Sequence, residues 1–472
     1  LELQHQGFSL VKTLIVNDKD YFGDHNDVLR AFRWLWRSKG RYLRLQHEDS
    51  VPPRYHDESK LLATILVDYS ESSPSDVDLL FELIRIFLQP GSCDFSFVRY
   101  SLSTAVANLS LEQKKQILQR FFALLSGESS EEIKTLSLQL VVYPMLQTFF
   151  KERQPSPNSV PTGHETISQQ LTNIIDSSTA NRFVSEVLFN HDKPIHCGDR
   201  LKVELLKMTN ILIEFVPDQM EPFGKEIVKF CLSFLKSDDA SCKSWAYLVL
   251  CRHISATHSG TNLILQVYTA LIRSHQPEGK EIIRAALDLL IPAMEGRLTE
   301  SEKKKATEFT NRIMFEEVNS VPQLAHIWSI VVSHSVRYYG NRQHFVRHMI
   351  NSLTRLGLPP NSPPENRSLS VSVVELILRW HRMQYDENEG ISEIGEQKRK
   401  INRNEPVDLG DGHIEKKVKT STTVIGTPER NITERSPLLD QAMVRLDFES
   451  LVMVTCFSLY YRLIHWSTSS SG

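Results

Sequence analysis

Four residues that can bind a metal ion lie close together in the segment FNHDKPIHCGD: His191, His196, Cys197 and Asp199. Imidazole, thiolate and carboxylate groups are the usual ligands of Zn²⁺ in proteins. Their spacing matches none of the standard zinc patterns, in which ligands form regularly separated pairs. We therefore interpret the segment as a polar loop between helices with a partly buried Cys197, and metal binding is the less favoured alternative. We predict no cofactor.

The sequence carries no motif for catalysis. It contains no glycine-rich phosphate loop, G-x-S-x-G elbow, H-E-x-x-H helix or kinase-type H-R-D and D-F-G pair. Serine, histidine and acidic residues are plentiful, but no local arrangement ties a general base to a nucleophile. The sequence therefore predicts that this chain is not an enzyme.

A basic stripe is the strongest electrostatic feature, and it consists of Arg30, Arg33, Arg37, Arg41 and Arg44 in RAFRWLWRSKGRYLRL. Because these residues recur every three or four positions, a helix places them on one face. One interpretation is a docking surface for an acidic partner or for nucleic-acid phosphates. The other is an ordinary outer face, neutralised by acidic residues of a neighbouring helix. We favour the second interpretation.

Two further features fall in a charged stretch of the chain. The basic cluster KKVK, with Lys416, Lys417 and Lys419, has the form of a nuclear-import signal, although such tetrapeptides are common by chance. Thr427 and Ser436 each precede a proline and are candidate phosphorylation sites, where a phosphate would add negative charge. Ser436 has a second interpretation as the N-cap of the last predicted helix.

The elements that carry these residues are predicted to be helices, because apolar residues recur at helical periodicity and strand-like alternation is nearly absent. One such stripe consists of Ile117, Leu118, Phe121, Phe122 and Leu125. Each stripe provides a face that must be buried against another helix. The sequence therefore indicates an all-α protein.

Helix starts carry a recurrent signal, a Ser or Thr followed three residues later by Glu or Gln, which can close a capping box. Its occurrences are Ser110 with Gln113, Ser129 with Glu132, Thr162 with Glu165, Thr299 with Glu302, and Ser320 with Gln323. Successive starts lie about 20 residues apart in the better-marked regions, so a helix pair takes roughly 40, the period of HEAT repeats. We predict a HEAT-like α-solenoid of stacked antiparallel helix pairs; the alternative is an irregular all-α domain.

The segment LGLPPNSPPENRSLSVSVVELILRW, 356–380, places four prolines before a helix with two apolar faces. The first face contains Leu369, Val373, Leu376, Ile377 and Trp380. The second contains Val371, Val374 and Leu378. Two apolar faces predict two packing partners, as in an inner rung of a stack. We expect Ser362 to cap this helix, with Glu365 completing a capping box.

Composition divides the chain into three parts. Residues 1–384 form the predicted solenoid. Residues 385–435 form a charged insert with almost no aromatic residues, which we predict to be disordered because it cannot bury enough apolar surface. Residues 436–472 form a C-terminal helical segment. Its apolar run, 451–464, is shorter than the roughly 20 residues of a membrane span and is interrupted by polar residues, so we predict no membrane association.

Charge and cysteine content narrow the class of protein further. The 54 basic and 57 acidic residues nearly cancel, so the whole molecule is not built as a binder of polyanions. The six cysteines form no C-x-x-C pair, which favours reduced interior thiols in the nucleus or cytosol. Because there is no initiator Met and the first residues read as the middle of a helix, we expect a piece of a longer protein.

Several segments resemble, in the same order, the phosphatidylinositol-3-kinase-related pseudokinases: HEDSVPPRYHDESKLLATILVDYSESSPSDVDLLFELIRIFLQP, SCKSWAYLVLCRHIS, NSVPQLAHIWSIVVSHSVRYYG and HFVRHMINSLTRLG. The resemblance runs from about Leu29 to Met383 and falls on the family's HEAT-repeat region. It implies a non-catalytic nuclear scaffold of SAGA-type and NuA-type histone acetyltransferase complexes. The implied partners are transcriptional activators and other subunits of those complexes.

Two other functions stay open at this point. The repeats could be the regulatory arm of an active kinase of the same superfamily, and the basic stripe could bind nucleic acid directly. The resemblance transfers no active-site or partner-binding residue to this chain. The stretch LDFESLVMVTCFSLYYRLIHWSTSSSG departs from the family pattern, so the resemblance says nothing about how it packs.

Overall fold

The structure is a computed structural model that describes residues 2–18, 20–38, 54–73, 76–88, 94–127, 129–152, 174–190, 193–194, 197–274, 277–357, 359 and 361–401. In these ranges the regular structure is helical apart from one antiparallel pair of two-residue strands, β1 (Phe189–Asn190) and β2 (Lys193–Pro194). None of the described helices has the length and apolar content that crossing a membrane requires. The predicted all-α, HEAT-like fold is confirmed.

The helices form two compact units. The first contains residues 1–267 and 276–293. Its helices are α1 (Glu2–Asn17), α2 (Tyr21–Asp24), α3 (Asn26–Arg37), α4 (Arg54–Ser72), α5 (Val77–Leu83), α6 (Ser96–Asn108), α7 (Leu111–Ser126), α8 (Glu131–Ser137), α9 (Tyr143–Glu152), α10 (Ser177–Arg182), α11 (Asp199–Phe215), α12 (Pro217–Met220), α13 (Gly224–Phe234) and α14 (Ala240–Ala256).

The second unit contains residues 268–275 and those from 294 onward, so α15 (Thr261–Arg273) and α16 (Lys280–Arg297) contribute residues to both units. Its other helices are α17 (Glu300–Glu316), α18 (Val321–Ser333), α19 (Ser335–Tyr339), α20 (Gln343–Leu356) and α21 (Pro364–Ile401).

Short segments of other helix types join these elements. The 3₁₀ turns are Ile84–Leu88, Glu221–Phe223 and Pro277–Gly279, and the π-helical segments are Leu138–Val142, between α8 and α9, and Phe183–Leu188, after α10. A π-turn widens the helix by one residue per turn and shifts the apolar stripe that follows it. The sequence pattern did not indicate either π segment.

The core of the first unit lies between helices that follow one another in the chain. Helix α14 packs on both α11 and α13 and buries Ala246, Val249, Leu250 and Cys251. Because four consecutive residues, Leu248 to Cys251, are all buried and point to different sides, α14 is an inner helix of the unit. The unit thus shows the burial on two sides that a stack of repeats requires.

Aromatic side chains fill the core of the second unit. The ring of Phe345 lies 5.4 Å from that of Tyr338, 6.4 Å from that of Trp328 and 6.5 Å from that of Trp380, measured between centroids. Trp380 also donates its indole N–H to the carbonyl oxygen of Ser335 at 2.9 Å. These contacts join α18, α19, α20 and α21 around a single ring.

Buried hydroxyl groups add a specific polar link to the same unit. The hydroxyl of Tyr268 lies 2.6 Å from that of Thr310 and 2.9 Å from that of Tyr338. Burial raises the pKa of both tyrosines above the ordinary value near 10. Each hydroxyl therefore stays protonated and hydrogen-bonded, as burial of a polar group requires.

The predicted spacing of helix starts is confirmed downstream of residue 240. The longer helices begin there at Ala240, Thr261, Lys280, Glu300, Val321, Gln343 and Pro364, about 20 residues apart, with the short α19 between those that begin at Val321 and Gln343. The capping boxes at Ser110 and Thr299 are both present.

Two of the predicted caps differ from the structure. Ser130, rather than Ser129, caps α8, and its hydroxyl accepts from the backbone N–H of Ile133. Either of the two adjacent serines could supply the hydroxyl, so the sequence alone does not distinguish them. Ser320 caps α18 as predicted, but the Gln323 side chain donates to the carbonyl oxygen of Ile272 instead of returning to the cap. The pair at Thr162 lies outside the described residues.

Three expectations for α21 are corrected. Its helix begins at Pro364, and the hydroxyl of Ser362 donates to the carbonyl oxygen of Leu356. The hydroxyl thus closes the end of α20, where a carbonyl would otherwise lack a partner. The first apolar face is buried at Val373, Leu376, Ile377 and Trp380, whereas the second face is largely exposed.

The third correction concerns the predicted insert. Helix α21 continues to Ile401 and so enters the segment 385–435 that we expected to be disordered. Few aromatic residues argue against burial but not against a helix, and 386–401 is rich in Glu and Lys, which have good helix propensity. The rest of the insert and the segment 436–472 lie outside the described residues, and their assignments stay predictions.

The first testable consequence is that Leu376 holds α21 in the stack. Its side chain is 1% exposed. We expect Leu376→Ala to lower the free energy of unfolding by about 2–5 kcal/mol, through lost burial and the cavity that remains. Glu375, the adjacent exposed residue, provides a control, because Glu375→Ala should change the free energy of unfolding by less than about 0.5 kcal/mol. Urea unfolding followed by circular dichroism measures both, and equal effects would contradict the assignment of faces.

Candidate docking surface

Helix α3 carries the first part of the basic stripe, and its apolar side fixes the orientation of the arginines. Leu29, Phe32 and Trp36 are buried. The Phe32 ring lies 5.0 Å from that of Phe8 and 6.0 Å from that of Phe22. Trp36 donates its indole N–H to the carbonyl oxygen of Glu82 at 2.8 Å. With this face anchored, the polar face of α3 is set against α5.

Arg33 is held by two carboxylates of the neighbouring segment. Its Nε and Nη2 donate to the two carboxylate oxygens of Glu82 at 3.1 and 2.7 Å, and Nη1 donates to Oδ2 of Asp76 at 2.5 Å. The Arg33 side chain is only 18% exposed. The hydrogen bonding of Arg33 to the Glu82 carboxylate is the main cause that raises the pKa of Arg33. This two-pronged geometry suits a planar guanidinium and fixes its position.

Asp76 has a second role at the same place. Its other carboxylate oxygen accepts from the backbone N–H of Leu79 at 3.2 Å, which caps α5. One carboxylate thus satisfies a free donor at the helix start and an arginine of another helix. Nothing in the sequence marked Asp76 or Glu82 as a partner of Arg33.

The other members of the stripe differ in their surroundings. Arg37 pairs with Glu82 and is half-exposed. Arg30 is exposed, and Arg41 and Arg44 lie outside the described residues. The structure therefore supports neutralisation by a neighbouring helix for Arg33 and Arg37, while docking stays a prediction for Arg30, Arg41 and Arg44.

An exposed tryptophan lies beside the stripe. Trp34 follows Arg30 by four residues and precedes Arg37 by three, and its side chain is 69% exposed. Arg30, Trp34 and Arg37 therefore share the outer side of α3. An exposed indole between two guanidinium groups offers a partner both apolar area and positive charge. Tryptophan and arginine are both enriched in protein–protein interfaces. The spacing of the arginines did not indicate that Trp34 is exposed beside them.

The candidate metal loop does not assemble a site among the described residues. Cys197 is partly buried, and burial raises the pKa of its thiol to about 11. Asp199 accepts a hydrogen bond from Lys202 at 2.7 Å. Among the described residues there is no group of three or more His, Cys, Asp and Glu side chains suited to a metal. His191 and His196 lie outside these residues, as do Lys416, Lys417, Lys419, Thr427 and Ser436, whose roles stay predictions.

The fold and the surface define the class of protein: it is an all-α protein of stacked HEAT-type helices. The candidate functional residues that the structure describes belong to its outer faces. Comparison with known proteins then identifies the family. A model of the Tra1 HEAT repeat ring region matches residues 1–460. The chain belongs to this Tra1 family.

Individual relatives agree with the family model. The chain is 30% identical over 330 residues to probable transcription-associated protein 1 of Dictyostelium discoideum, covering 69% of this chain and 7% of that protein. It is 28% identical over 392 residues to the human transformation/transcription domain-associated protein, covering 80% and 10%. A yeast relative, the SAGA complex/NuA4 acetyltransferase complex subunit TRA1, is 28% identical over 183 residues, covering 39% and 5%.

Two conclusions follow from these comparisons. The resemblance to the HEAT region of the pseudokinase family is confirmed, with the transformation/transcription domain-associated protein among the relatives. The chain spans a tenth or less of the length of the three relatives described above. The match is thus to one structural region of a much longer protein.

The second testable consequence is that Arg33 stabilises the fold and Arg30 does not. Arg33→Ala removes three hydrogen bonds from the partly buried carboxylates of Asp76 and Glu82, and we expect a loss of about 1–3 kcal/mol in the free energy of unfolding. Arg30→Ala removes the same side chain from an exposed site and should change stability by less than about 0.5 kcal/mol. Urea unfolding of both variants in parallel is the measurement. A loss for Arg30→Ala as large as that for Arg33→Ala would refute the structural role.

Proposed function

We propose that this chain is a non-catalytic scaffold segment of a nuclear transcription coactivator, a subunit of SAGA-type and NuA-type histone acetyltransferase complexes. The observation that carries the proposal is the family match over residues 1–460, together with a yeast relative named as a subunit of both complexes. Its partners are transcriptional activators and other subunits of the complex. Its location is the nucleus.

The architecture supports a scaffold because stacked helices present long surfaces to partners. The inner faces of the helices pack against one another. The outer faces carry large exposed side chains in both units: Trp34 and Tyr100 in the first, and Phe315 and Val336 in the second. Isolated exposed apolar residues are common, but here they accompany a chain whose relatives are named as parts of large assemblies. Binding through such surfaces needs no convergent active site.

Two other functions are less well supported. A regulatory arm of an active kinase would require catalytic-loop and metal-binding aspartates in a kinase domain of the same protein, whereas the relatives are named as transcription-associated proteins and an acetyltransferase-complex subunit. Direct nucleic-acid binding would use the basic stripe, but Arg33 and Arg37 are already paired with Asp76 and Glu82. Breaking those pairs would expose two carboxylates to the phosphates and oppose binding.

Affinity purification of the full-length protein from nuclear extract, followed by mass spectrometry, tests this function. We expect acetyltransferase subunits to copurify in stoichiometric amounts and histone acetyltransferase activity to be present in the eluate. A matched preparation from cells without the affinity tag controls for background. Recovery of the protein without any acetyltransferase subunit would overturn the proposal, and kinase activity intrinsic to the purified protein would favour the kinase-arm alternative.

A further inference from the structure

We draw no further inference here: the strongest candidate, the apolar strip of Val371, Val374 and Leu378 along the outer face of α21, carries none because nothing in the described residues shows what covers it.

Discussion

The structure depends on one constraint: none of the helices in the described ranges can bury its apolar surface alone. The ring of Phe345 illustrates the point, because it contacts aromatic side chains from three other helices, Trp328, Tyr338 and Trp380. Removing any of these helices would expose the others' apolar faces to water. The spacing of about 20 residues between helix starts follows from this constraint, because each helix must align with the next one to share such a core.

The same constraint explains why much of the fold could be predicted from sequence. Burial on one face repeats at helical periodicity, and local capping pairs such as Ser110 with Gln113 involve only neighbours in the chain. Where the deciding contact is distant, prediction from sequence failed. Gln323 could have closed its own capping box, but the carbonyl oxygen of Ile272 accepts its amide instead. Helix α21 enters the predicted insert because low burial does not preclude helix formation.

The candidate docking surface shows a similar limit. The spacing of Arg30, Arg33 and Arg37 correctly indicates one helix face, but not which charges are available to a partner. Asp76 and Glu82 are more than 40 positions away in the chain and hold Arg33 through three hydrogen bonds. A basic stripe on an amphipathic helix is therefore evidence first of how the helix packs, and only then of what it binds. Exposed residues with mixed character, such as Trp34 beside Arg30, are the better markers of a surface for partners.

A scaffold acts through the positions of its outer faces, so the central claim is that these faces contact other subunits. Cross-linking mass spectrometry of the intact acetyltransferase complex, purified through the full-length protein, measures this directly. Exposed lysines suited to the reagent are Lys225 and Lys229 in the first unit and Lys304 and Lys305 in the second. Our account predicts reproducible cross-links from at least some of these lysines to other subunits of the complex. An intact, active complex in which all four lysines react with the reagent yet link to no other subunit would contradict it.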